Sequence, residues 1–162
     1  MTLQLTGAQV WQELGQEIFA VLGMVSASGK ARTAGVVYIV HDRKLYIATK
    51  KTAWKARHIQ NNPHVSITVP IARHVPFMPW IKIPAATITF SGTARVLDAS
   101  AVSGEVVQAL FRGAEQNPDE LATAAIVVVE PAGEFVTYGV GISLMQMRFP
   151  EKARGRAPIA DR

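Results

Sequence analysis

The sequence predicts a mainly β domain with some α: a small antiparallel β-barrel of about six strands with helices at its periphery. Two observations carry this reading. Short runs rich in β-branched and aromatic residues recur along the chain, with turn signals between them at short intervals. Inserted among them are stretches whose apolar residues repeat at four-residue spacing, which is helical patterning. Strands and helices in that arrangement build a barrel with helices outside it. Residues 1–150 are expected to form one domain, and 151–162, with Lys152, Arg154, Arg156 and Arg162, a basic mobile tail.

Gln9 to Leu22 reads as an amphipathic helix, because Val10, Leu14, Ile18 and Leu22 share one face; Thr6 or Gly7 opens it and Gly23 ends it. Met24 to Ala27 is a short strand that stops at the turn signal Ser28-Gly29-Lys30. Arg32 to Val40 and Leu45 to Thr49 flank His41-Asp42-Arg43-Lys44 and are expected to pair as a β-hairpin. Gly35 inside the first of these implies a bulge, a packing gap, or the approach of something flat to the backbone. Thr52 is the expected N-cap of a helix that Asn61-Asn62-Pro63 stops, since proline disfavours helical dihedrals at the residue before it. Val65 to Val69 alternates as a strand. The segment from Pro70 to Pro84, with Pro76, Pro79, Phe77, Met78 and Trp80, excludes regular structure yet is too apolar to face water everywhere. It packs on the barrel, covers a pocket or joins a second subunit, and dimer contact with a share in a pocket wall is favoured. Ala86 to Leu97 is a long strand with Gly92 as a bulge or bend. A helix capped by Asp98 or Ser100 carries Val102, Val106 and Leu110, and Asn117-Pro118-Asp119-Glu120 opens a further short one. Ala125 to Glu130 is a buried strand, Pro131-Ala132-Gly133 a turn, and Glu134 to Val140 the last clear strand; Ser143 to Phe149 extends the pairing or lies over the surface.

At 162 residues, 49% apolar and 18% charged, the chain is long and apolar enough to bury a core. It has no cysteine, which removes disulfides, thiolate nucleophiles and cysteine metal sites, and fits a reducing cytoplasm. No basic stretch followed by an apolar one marks a signal peptide, and the longest apolar run is far too short to span a bilayer, so no membrane is expected as a partner. The formal charge of +5 calls for an anionic partner: nucleic acid, a phosphate-bearing cofactor or an acidic substrate. Exposed aromatics interleaved with basic residues are few, which does not favour nucleic acid, although Trp54 could stack a base. His41, His58, His64 and His74 stand 17, 6 and 10 residues apart, a spacing that matches no common metal motif. No Gly-x-Ser-x-Gly elbow, Rossmann or Walker glycine motif is present.

What remains is the joint between Leu45 and Val69. A helix start presents free N–H groups and the positive end of its dipole, and here Lys50, Lys51 and Lys55 crowd it without an acid. A solvated basic face would have the same composition, but lysines oppose the dipole at this end, so a phosphate is the natural guest.

Thr49, five residues, Lys55-Ala56 and then Ile59-Gln60-Asn61-Asn62-Pro63-His64-Val65-Ser66 resembles, without a gap, the pattern of the pyridoxamine 5′-phosphate oxidase-like family, the FMN-binding split barrels. Ala31 to Tyr38 resembles that family's flavin-contacting strand, and Ser91-Gly92-Thr93-Ala94 a later one. The resemblance covers roughly residues 10–140 and implies a split barrel and a homodimer with cofactor at the subunit interface. It implies that Thr49 and Lys55 hold the FMN phosphate, helped by Lys50, Thr52 and Arg32. The backbone of Thr33, Ala34, Gly35 and Val36, and of Tyr46, Ile47 and Ala48, would edge the isoalloxazine. Thr87 stands where the family often has a glutamine reaching the flavin from the partner. Trp54 occupies the place of the first residue of the family's usual Arg-Lys pair, where it stacks on the cofactor or packs, with packing favoured. The C-terminal Trp and Arg-x-His pattern of true pyridoxamine phosphate oxidases is absent, so vitamin B6 oxidation is not expected. The resemblance implies an FMN-dependent oxidoreductase transferring hydride to or from a small molecule. The alternatives are a reductase using the deazaflavin F420, or a non-enzymatic flavin or haem binder with His58 or His64 on the iron. No catalytic residue is nominated.

Overall fold

The computed structural model describes residues 3–78, 80–112 and 118–160. Its strands are β1 (Leu3–Gln4), β2 (Phe19–Val25), β3 (Ala31–Val37), β4 (Ile39–His41), β5 (Lys44–Lys50), β6 (His64–Ile71), β7 (Ala86–Asp98), β8 (Ala124–Tyr138) and β9 (Arg154–Pro158). The helices are α1 (Gly7–Gln16), α2 (Trp54–Asn61), α3 (Gly104–Phe111), α4 (Pro118–Thr123) and α5 (Pro150–Ala153). One curled sheet runs β1-β9-β8-β7-β6-β2-β3, with β5 on the first half of β8 and β4 on β5. Among the described residues only β1 and β9 pair in parallel. Setting aside the short β1, β4 and β9, six longer strands make the split, mainly antiparallel barrel that the sequence predicts. The sheet is open between β3 and β5, which lie side by side without pairing.

Several elements differ from the sequence reading, each for an identifiable reason. The predicted helix over Gln9–Leu22 ends at Gln16, and the chain re-enters the sheet as β2. A four-residue spacing is also a multiple of two, so Leu22 fits a strand face beside Ala20 and Met24, while Ile18 is half exposed. Thr6 does cap α1: its hydroxyl accepts from the Gln9 N–H while the Gln9 side chain accepts from the Thr6 N–H. The predicted Arg32–Val40 strand breaks at Tyr38. That residue is fully buried, and its hydroxyl donates to the Leu14 carbonyl at 2.8 Å. The long strand β3 therefore pairs with β2, and the hairpin to β5 is only β4, closed by Asp42 and Arg43, both at positive φ (46° and 56°) as a tight hairpin turn requires.

At Gly35 there is no bulge, since β2 and β3 stay in register throughout. The flat object is internal: a Cβ there would lie 3.0 Å from the Phe19 ring. Proline 70 lies inside β6, past the end of the β2 pairing, where one strand edge is free. The predicted cap for the third helix, Asp98 or Ser100, is replaced by Ser103 after a 3-10 turn over Ala99–Ala101. Asn117, Pro79 and Arg162 lie outside the described residues.

Pro131-Ala132-Gly133 does not end a strand; β8 runs through it with a register shift opposite Thr89–Ser91. Gly92 faces the bend so closely that a Cβ would collide with the Glu130 carbonyl and lie 3.1 Å from the Pro131 Cα. Glu130 itself accepts from Arg95 at 2.7 Å and lies 3.2 Å from the Lys44 ammonium. The Lys44 hydrogen bond holds its carboxyl below the usual range, helped by the charges of Lys44 and Arg95, though at such an exposed position solvent screening leaves little of this as stability. The expected mobile tail instead forms α5 and then β9, inserted between β1 and β8. Ser143–Phe149 does not extend the pairing and contains a 3-10 turn over Gln146–Arg148.

Inside the curl, Leu22, Tyr38, Leu45, Ile47, Ile67, Val69, Ile88 and Phe135 are essentially fully buried, and α1 closes one side with Val10, Trp11 and Leu14. Trp11 and Phe90 meet Phe135 edge-on at 5.3 and 5.4 Å. Burial, and then the nearby charge of Glu17, push the Tyr38 phenol well above its ordinary value. A folded pKa above the unfolded one means stability complete below the unfolded value and lost as the pH climbs past it. Urea titrations are expected to show stability falling above a pH of about 10, with a contribution of up to about 1.4 kcal/mol per pH unit from this phenol. Tyr38→Phe is expected to cost about 1 kcal/mol at neutral pH, by orphaning the Leu14 carbonyl, and to flatten the alkaline limb.

Candidate functional site

After β5 the chain makes a tight turn, with the Ala53 N–H donating to the Lys50 carbonyl at 3.0 Å, before α2 begins. That turn moves the helix start one residue past the predicted cap. Ala53, not Thr52, is the N-cap, and no side chain caps the helix. Its first turn contains no acid. Ala56 and Ile59 bury the inner face of α2, and Ile59 alone is worth about 1.5–3 kcal/mol of burial. The helix is therefore held by its apolar face while its N-terminal N–H groups open outward.

They open on a cleft of about 660 Å³. One wall is Ala48, Thr49, Lys50, Thr52, Ala53 and Lys55. The other is Phe111 from α3, Glu120 and Thr123 from α4, and Ala124 at the start of β8. The Lys51 N–H donates to the Thr123 carbonyl at 3.0 Å, which fixes one wall against the other. Lys51 itself is turned away: its ammonium lies 2.6 Å from the Asp98 carboxylate and lines a neighbouring cavity. Lys50 and Lys55 form no ion pair with the described acids. Two unneutralised ammonium groups, two hydroxyls and an uncapped helix start meet the requirements of a phosphate.

The remaining predicted residues divide. Arg32, Thr33 and Trp54 line a second recess of about 310 Å³ on the other side of the α2 start, together with His58. Trp54 is 41% exposed and lies outside the core, with its ring against that of His58 at 5.4 Å. Ala34, Gly35 and Val36 continue along β3, whose free edge faces the opening; the Val36 side chain is buried in the core. Ile47 and Ala48 have a partner strand on the β8 side only. Tyr46 has β4 on one side and β8 on the other, so its backbone is not open to a ligand, contrary to the expectation. Thr87 pairs with Pro70 and Tyr138 at the far end of β7, and within one chain it does not reach the cleft. Phe111, Glu120 and Thr123 were not foreseen, since nothing local in their sequence ties them to β5.

The chain belongs to the pyridoxamine 5′-phosphate oxidase family, whose sequence pattern it matches over residues 7–136. No curated protein matches it. Among solved structures it is similar to an F420 reductase at 18% identity, with 76% of this chain and 94% of that one covered and a TM-score of 0.56. It is also similar to HutZ, the haem storage protein of Vibrio cholerae, at 17% identity, covering 83% and 96% of the two chains with a TM-score of 0.62. A third is General Stress Protein 26 of Bacillus anthracis, 18% identical over 82% of this chain and 91% of that one, with a TM-score of 0.58. At such identities the likeness is one of fold. No helix among the described residues is long and apolar enough to cross a membrane.

The missing cap is directly testable. Ala53→Asp is expected to raise the stability of the ligand-free protein by about 0.5–1 kcal/mol, read as a higher Tm, because it satisfies the helix start. The same variant is expected to weaken phosphate binding, measured by inorganic phosphate titration.

Proposed function

We propose that the chain works as a cytoplasmic homodimer that binds FMN and acts as a flavin-dependent oxidoreductase on a small molecule. The observation that supports this most is the start of α2, which has no side-chain cap, no acid in its first turn, and Lys50 and Lys55 without an ion pair to any described acid. A phosphate monoester carries close to two negative charges at neutral pH and accepts several hydrogen bonds. Lys50 and Lys55 supply the charge, the helix N–H groups the direction, and Thr49 and Thr52 further donors. Glu120 on the opposite wall would repel a phosphate and suits the hydroxyls of the ribityl chain.

Bound FMN would supply hydride transfer; the protein supplies position and surroundings. The opening between β3 and β5 offers the free backbone edges of Thr33–Val36 and Ile47–Ala48 to the polar rim of a flat ring. Exposed apolar groups support the dimer: Phe19 and Val37 stand opposite each other on the outer sheet face, 45% and 54% exposed, and Phe77 and Trp80 project from the 72–85 loop. A partner subunit is also what would bring Thr87 to a cofactor. The F420 reductase fold relative supports a second reading, in which the deazaflavin binds at the same start of α2 and its acidic tail meets the basic residues around it.

Lys55→Ala removes one charge-assisted contact and is expected to raise the Kd for FMN about tenfold or more, measured by flavin fluorescence quenching. An unchanged Kd in a folded variant would mean the phosphate is not there.

A further inference from the structure

Two segments that leave the same end of the sheet carry exposed large apolar side chains. Phe77, Met78, Trp80 and Ile81 stand on the 72–85 loop, and Met145 and Phe149 on the 139–153 connection. The pairing of Ile71 with Ala86 closes the loop, and the connection starts beside it, where Thr87 pairs with Tyr138. Arg73 ties the two together, its Nη2 donating to the Gly139 carbonyl at 3.1 Å. The connection folds back on the strand end: the Gly139 N–H donates to the Ala153 carbonyl at 2.8 Å and the Tyr138 hydroxyl to the Met147 carbonyl at 2.9 Å. At the tip of the loop Phe77 is 97% and Trp80 73% exposed. Phe77 also has a positive φ of 65°, which phenylalanine rarely adopts. The Met78 N–H donates to the Val75 carbonyl at 3.2 Å and the Ile81 N–H to the Met78 carbonyl at 3.1 Å, while Pro76 has no N–H. These amides therefore need no water when the tip enters a less polar medium. Cations stand among the apolar groups. Lys82 in the loop and Arg148, Lys152 and Arg154 beyond it are exposed and form no ion pair with a described acid. The Lys152 ammonium lies 5.1 Å over the Phe149 ring. Acids are kept away: none occurs between Asp42 and Asp98, and Glu151 is the only one between Glu134 and Asp161.

We propose that this end of the barrel docks on an anionic lipid surface, with the tip of the 72–85 loop among the headgroups and the cations against lipid phosphates. Apolar side chains set among cations match such a surface in both respects. Tryptophan and phenylalanine enter the boundary between headgroups and acyl chains, and long basic side chains reach the phosphates above it. Docking of this kind needs no helix that crosses the bilayer. The other candidate occupant is a second copy of the chain, and the charge opposes it, because a twofold contact here would set these cations against their own copies. Of the apolar groups offered above to the dimer, Phe19 and Val37 on the sheet face remain with it, and Phe77 and Trp80 go with the cations at this end. The cofactor cleft lies at the start of β8 and this surface beyond its end, so the proposal does not rest on the phosphate reading.

The test is cosedimentation of the full-length protein with vesicles of phosphatidylglycerol and phosphatidylcholine in equal parts, and with vesicles of phosphatidylcholine alone. Binding to the anionic vesicles is expected to be about tenfold or more tighter than to the neutral ones. Phe77→Ser and Trp80→Ser together are expected to weaken it about tenfold or more. Arg148→Gln and Lys152→Gln are expected to weaken it about fivefold for each charge removed. These four side chains are exposed, so the variants keep the fold, which an unchanged Tm verifies. Absence of binding to the anionic vesicles overturns the proposal, as does binding that the Phe77→Ser, Trp80→Ser pair leaves unchanged. Conversion of a dimer to a monomer by that pair, read by analytical ultracentrifugation, assigns the surface to a second copy and overturns it as well.

Discussion

The site depends on one strand. β8 pairs with β5 through its first half and with β9 through its second, and it holds β7 along both. The pairing of Leu45–Lys50 with Ala124–Val129 delivers the end of β5 to the beginning of β8. The Lys51 N–H then closes on the Thr123 carbonyl, so the turn before α2 and the helix before β8 become opposite walls of one cleft. Such a strand can serve two sets of partners only if it bends. The bend at Pro131–Gly133 uses Gly133 at positive φ and the missing side chain of Gly92.

Around that frame, α2 is arranged against its own local stability. Its dipole favours acids at the start, and it has lysines; its first N–H groups favour a capping oxygen, and it has alanine. Burial of Ala56 and Ile59 keeps the helix in place regardless. A violation of local rules that tertiary packing supports is a common mark of a binding site. Lys51 sharpens the point. It belongs to the same basic run, yet its ammonium lies against Asp98, so of the three lysines it is Lys50 and Lys55 that line the cleft without an ion pair to a described acid.

Much of this joint was legible in the sequence because it is local. Thr49 at a strand end, Lys55 in the first helical turn and the Asn61-Asn62-Pro63 stop are neighbours in the chain, and the helix and strand around them fall where the pattern puts them. The misreadings share a different cause. Leu22 satisfies a helix spacing and a strand spacing alike, and only burial inside the sheet decides between them. Tyr38 reads as an ordinary strand residue until its hydroxyl is seen on the Leu14 carbonyl, a contact that sends β3 to β2 instead of β5. The C-terminal segment looks like a basic tail because its partner strand β8 is distant in sequence. The far wall of the cleft, Phe111, Glu120 and Thr123, and the capture of Lys51 by Asp98 are equally non-local. No periodicity or motif marks them.

The central claim is that a phosphate, more than a ring, is what the start of α2 recognises. Calorimetric titration of the ligand-free protein with FMN and with riboflavin, which differ only in the phosphate, tests it most directly. FMN should bind at least about a hundredfold more tightly, in keeping with two or more charge-assisted contacts. Equal affinities for the two would contradict it.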